Sequence, residues 1–116
     1  MGAPVLVLIS ADPRTTHRAN EALRIALGIL AGENDVSIIL HGKGTALLAA
    51  DTDDFVDGDD IARHLATLKK LGQTFHVEAR PPPDGDWNDA GHPVVPVTPQ
   101  EIADLLAGNA RVLIFQ

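Results

Sequence analysis

Three short stretches of this chain carry residue types suited to chemistry: ADPRTTH at 11–17, HGKGT at 41–45 and ARPPPDGDW at 79–87. Each follows an apolar run. Together they contribute Arg14, Lys43 and Arg80, a third of the 9 Lys and Arg residues in a chain of net charge −7. A cation beside the free N–H groups of a helix start attracts anions, and helix starts are expected at Thr15/Thr16 and at Gly44/Thr45. If the three stretches converge, they form a small-anion site from Arg14, Thr15, Thr16, His17, His41, Gly42, Lys43, Gly44, Thr45, Arg80 and Trp87. A plainer explanation stands beside it. GKGT lacks the spacing of a phosphate-binding P-loop, and Gly42 and Gly44 also suit a tight strand-to-helix turn with no ligand.

The histidines carry two meanings in the same way. His41 and His17 can reach the rim as proton-transfer groups or sit there as structural, solvated side chains. His92 falls in a proline-rich loop, while His64 and His76 belong to a helix surface and a strand face. No pair has a local metal-ligand spacing, so no metal or cofactor is implied. Trp87 acts as a plug over a loop or as a stacking platform, the plug being the commoner use.

Composition removes whole classes of activity. The chain has 116 residues and no cysteine, so it has no disulfide, no thiolate metal site and no thiol nucleophile. Its acidic balance argues against nucleic acid as a partner. No apolar run approaches a membrane span, and the first residues lack the pattern of a signal peptide, so a cytoplasmic location and no membrane partner are expected. DTDDFVDGDD, at 51–60, holds six aspartates in ten residues. Counting back from Gly58 as the sixth loop position puts Phe55 where an EF-hand needs an oxygen donor, so a solvated acidic loop is expected instead.

These residues must be positioned by a regular framework. PVLVLIS at 4–10 reads as a buried strand. A helix capped by Thr15 or Thr16 carries Ala19, Ala22, Leu23, Ala26, Leu27 and Leu30 at helical spacing and ends at Gly32. Ile25 and Ile29 widen its apolar face beyond the needs of one sheet surface, which points to contact with another subunit. VSIILH at 36–41 is the second strand, and a short helix opens directly after it. Asp59 is expected to cap a helix bearing Ile61, Leu65 and Leu68, with Lys69, Lys70 and Gly72 at its end. Thr74 to Ala79 is the third strand.

Residues 80–97 form a loop stiffened by Pro81, Pro82, Pro83, Pro93 and Pro96, in which Val94 to Val97 adds a brief edge strand. Thr98-Pro99-Gln100-Glu101 is a capping box with proline at the first helical position; Ile102, Leu105 and Leu106 follow on the core side, and Gly108 stops the helix. RVLIF at 111–115 reads as a final buried strand. This order predicts one α/β domain spanning 1–116, a three-layer sandwich with a central, mostly parallel five-stranded sheet and helices on both faces. Ligands of such sheets bind beyond the carboxyl ends of the strands, where the three stretches lie.

The succession VLVLIS, an Ala-rich helix, VSIILHGKGTALL, a helix ending in LKKLG, a short strand, a proline-containing loop and a helix leading into NARVLIF resembles the DsrE/DsrF-like proteins over nearly the entire chain. The resemblance implies a five-stranded, largely parallel sheet and assembly into trimers or hexamers, alone or with related DsrE-like subunits. In the sulfur-relay members a cysteine just after the third strand carries a persulfide. The matching position here is Ala79. Persulfide transfer needs a nucleophilic sulfur, so the expected role is small-ligand binding or assembly without thiol catalysis. The alternatives are a small enzyme acting on an anionic metabolite and a non-catalytic subunit of a sulfur-relay complex.

Overall fold

A computed structural model of the protein describes residues 5–49, 53–78, 87–88, 91–108 and 111–116. Its first strand, β1 (Val5–Ile9), is VLVLI and is buried along its full length. A strand without polar alternation belongs inside a sheet covered on both faces, and β1 lies between β2 (Val36–Leu40) and β5 (Arg111–Phe115), parallel to both. The register runs from Val5 opposite Val36 to Ile9 opposite Leu40. β3 (Phe75–Glu78) pairs with β2, and β4 (Val94–Val97) pairs with β3. The five-stranded sheet has the order β4-β3-β2-β1-β5, and every pairing is parallel. Pro96, which cannot donate to a ladder, stands on the outer strand β4 as its chemistry requires.

Side chains alternate across a strand, and the two faces are built differently. Val7, Ile9, Ile38, Leu40, Phe75 and Val77 pack against α1 (Arg18–Ala31) and α2 (Gly58–Lys70) through Ala19, Ala22, Leu23, Ala26, Ile61, Leu65 and Leu68. Each fully buried Leu or Ile of this layer contributes about 1.5–3 kcal/mol relative to exposure. Leu6, Leu8, Ile39 and Val97 face the other way and meet Ile102 of α3 (Pro99–Ala107). The result is a three-layer sandwich. α1 contacts α2 as well as the sheet, and Ile25 and Ile29 are partly buried against that core.

Several local expectations need correction. His17, with no side-chain cap bond, occupies the N-cap of α1, while Thr16 Oγ1 accepts from the Arg18 N–H at 3.3 Å. The cap of α2 is Asp57, in the left-handed region at φ 58°, and Asp59 sits in the first turn, where its charge complements the helix dipole. The short helix after β2 is a 3-10 helix, Gly42–Leu48. The largest difference concerns β5. It is an outer strand, with Leu113 38% and Ile114 47% exposed, because α3 crosses from one edge of the sheet to the other and leaves β5 partly uncovered. The capping box at Thr98 forms as read: its side chain accepts from the Glu101 N–H, and the Glu101 carboxylate accepts from the Thr98 N–H, both at 3.1 Å.

Candidate functional site

At the carboxyl end of β2 the chain turns sharply into the 3-10 helix. Gly42 takes φ 56°, and a Cβ on Gly44 would overlap the carbonyl group of Ile9 and come within 3.2 Å of Ser10 Cα. Both glycines are therefore dictated by backbone geometry. The turn is pinned further by three bonds. His41 N–H donates to Ile9 O at 3.0 Å, Gly44 N–H donates to His41 O at 3.0 Å, and Thr45 Oγ1 donates to Gly42 O at 2.9 Å.

The centre of this rim is a residue that sequence reasoning missed. Glu78, the last residue of β3, is only 6% exposed. Its Oε2 lies 3.0 Å from Nε2 of His41, and its Oε1 accepts from the Gly42 N–H at 3.2 Å. Burying a carboxylate is costly unless it is paired and hydrogen-bonded, and here each oxygen has a partner. A single acidic residue closing FHVE is all the sequence offers for it, and that alone does not separate a buried carboxylate from a solvated one.

Trp87 closes another side. Its indole N–H donates to Thr45 O at 2.8 Å, Asn88 N–H donates to Leu48 O at 2.6 Å, and Ala49 and Trp87 form an antiparallel bridge. Trp87 is half-buried against the core, which is the plug arrangement. Beyond it, Asn88 Oδ1 accepts from the His92 N–H at 2.9 Å, and His92 is buried with its ring edge-on to Phe75, centroids 5.5 Å apart. Nδ1 of His92 has no hydrogen-bond partner among the described residues. Loss of hydration, and secondarily the Lys69 charge, lower the His92 pKa below the usual imidazole value.

The first stretch points elsewhere. Asp12 O accepts from the N–H groups of both Thr15 and Thr16, at 3.1 and 3.2 Å, and Asp12 Oδ1 accepts from Arg14 N–H at 2.9 Å. Arg14 Nε donates to Asp54 Oδ2 at 2.9 Å, and its guanidinium lies 5.4 Å from the ring centroid of buried Phe55. The acidic segment is thus tied to this turn, and Val56 N–H adds a bond to Pro13 O at 2.7 Å. His17 is exposed and stands 3.7 Å from Glu21 on α1.

The structure therefore brings His41 and Gly42 to Glu78 and Trp87 to Thr45 of the same turn, with Gly44 buried and Lys43 exposed on that turn. It directs Arg14 and His17 to other partners, and the N–H groups of Thr15, Thr16 and Gly44 are already bonded. Ala79 and Arg80 lie outside the described residues. Among the described residues no group of three or more His, Asp or Glu side chains is arranged to hold a metal ion.

The model of the DsrE/DsrF-like family matches residues 3–80, which span β1 through β3 and the His41–Glu78 pair. The chain belongs to the DsrE/DsrF-like family. The fold is similar to that in the crystal structure of the ychN protein from E. coli, with a TM-score of 0.68 and 19% identity, covering 99% of this chain and 100% of that one. A comparison with curated proteins finds no match. This DsrE-like chain has no cysteine at any position, so it carries no thiol on which the persulfide chemistry of sulfur-relay proteins could run.

Proposed function

We propose that this DsrE-like protein holds a small polar ligand at the carboxyl rim of its sheet and takes no part in carrying sulfur itself. One observation supports this reading above others: Glu78 is buried at the carboxyl end of β3, with one oxygen facing a half-exposed imidazole and the other a backbone N–H. A purely structural rim has no need of a desolvated carboxylate, since an apolar residue of similar volume serves packing as well or better. Exposed Lys43, on the same turn, supplies the charge that favours an anionic ligand.

The test is a thermal-shift and NMR titration of purified protein with phosphate, nucleotides and small carboxylates. The expected result is amide shifts at residues 41–45 and 78 that saturate with one probe and weaken in Lys43→Ala. No response at those residues to any probe class would remove the reading.

A second reading, self-association, is favoured by the open apolar edge of β5, where Leu113 and Ile114 are exposed. Unpaired strand edges of this kind invite pairing with another chain.

A further inference from the structure

Five histidines occur in the chain, and the structure separates one from the rest. His17 stands exposed beside Glu21 on the same helix, and His64 Nδ1 is bonded to Asn20 Oδ1 at 2.9 Å. His76 and His92 have buried Nδ1 atoms. His41 alone joins a buried carboxylate on one ring nitrogen to an accessible ring, with 44% of its side chain exposed. No described residue hydrogen-bonds its Nδ1.

We propose that His41 and Glu78 form a general acid–base dyad in which Nδ1 of His41 exchanges a proton with substrate and Glu78 is the positioning residue. The tautomer follows from the pairing. Nε2 of His41 lies 3.0 Å from Oε2 of Glu78, and a carboxylate only accepts, so in the dyad Nε2 carries the proton and Nδ1 the lone pair. The carboxylate cannot swing away freely, because Oε1 is held by the Gly42 N–H. The imidazole is steadied by its own backbone, bonded to Ile9 O and to Gly44 N–H. A carboxylate, a fixed tautomer and a ring lone pair are what a general base requires.

A neutral imidazole base suits a small molecule whose C–H proton is acidified by a neighbouring carbonyl or comparable electron sink, and that is the substrate class of the proposal. Nδ1 takes that proton, the C–H electron pair stays on the substrate as an enolate, and the dyad becomes an imidazolium–carboxylate pair of no net charge. The proton then returns to an adjacent substrate atom or to water, and the starting state is restored without oxidant or reductant. The inference rests on the rim being a small-molecule site.

Two measurements on the full chain test it. Long-range 1H–15N NMR reads the tautomer of His41, and 5-nitrobenzisoxazole serves as a generic probe of proton abstraction. In the probe reaction Nδ1 removes the C3 proton, the C–H electrons form the nitrile, the N–O bond breaks, and a coloured phenolate leaves. The expected result is a single Nε2–H tautomer in the wild type and probe turnover above equimolar free imidazole. His41→Gln abolishes that excess, Glu78→Gln lowers it about tenfold and mixes the tautomers, and His64→Gln leaves it unchanged. An Nδ1–H tautomer in the wild type, no excess turnover, or turnover that survives His41→Gln overturns the dyad. His41 is half-exposed, so its variant keeps the test open if Glu78→Gln does not fold. Rim shifts with phosphate or carboxylates but no excess turnover leave the binding role standing and remove only the acid–base role.

Discussion

Single residues decide where this rim can do anything. Gly44 is fixed by the approach of the 3-10 helix to the end of β1, where a Cβ would meet the Ile9 carbonyl carbon at 2.8 Å. The obstacle is backbone, which cannot rotate aside, so Gly44→Ala is expected to cost about 3 kcal/mol and to lower the urea midpoint at unchanged slope. HGKGT had two explanations in the sequence, and the tight-turn one accounts for both glycines. Glu78 was not legible, because a lone acidic residue after FHV looks the same whether it faces water or the inside of a rim; only the fold reveals that His41 comes to meet it. His92 carries a consequence for pH. Its folded-state pKa is lowered, so the unfolded chain takes up the proton first as pH falls below about 6.5. The stability contributed by neutral His92 is complete above that value and is lost as pH falls toward the folded-state pKa. His64, lowered by burial and then by Arg63 and Arg24, acts with the same sign. Urea unfolding at pH 7.5 and 5.5 should show the wild type weaker at the lower pH, with a smaller difference in His92→Leu.

Elements were readable where local rules act alone. The start of α3 needs only the capping box and proline at the first helical position, and it forms where the spacing placed it. Thr98→Ala removes the acceptor of the Glu101 N–H and is expected to cost about 1 kcal/mol, seen as a lower melting temperature with native circular dichroism. No loss of stability would show that α3 is held by packing alone. The caps of α1 and α2 were misread for different reasons, one local and one tertiary. At α1 the turn before the helix is organised by Asp12, whose oxygens collect the N–H groups of Arg14, Thr15 and Thr16. At α2 the left-handed Asp57 follows a segment anchored by buried Phe55 and by the Arg14–Asp54 pair, neither of which has a local signature.

Across the whole molecule the two outer strands differ, and the difference bears on assembly. β4 has four residues, and Pro96 removes one of its donors, which blunts that edge. β5 has five residues and no proline, and it leaves Leu113 and Ile114 exposed on opposite faces of the sheet. RVLIF looked like an interior strand because composition reports that a segment is apolar but does not say what covers it; the order β4-β3-β2-β1-β5 puts it outside. An apolar strand at an open edge is either a liability or an interface. Function as an interface requires that charges at Leu113 and Ile114 separate the subunits without unfolding them, since both side chains already meet water in the single chain. Leu113→Lys with Ile114→Lys is therefore expected to keep the circular dichroism and melting transition of the subunit while light scattering at micromolar concentration falls to the mass of one chain. A wild type already of that mass at the same concentration would remove β5 as an assembly edge. The His41–Glu78 pair, just past the end of β2 and at the end of β3, should keep its tautomer in the double variant, so site and assembly are separable by experiment.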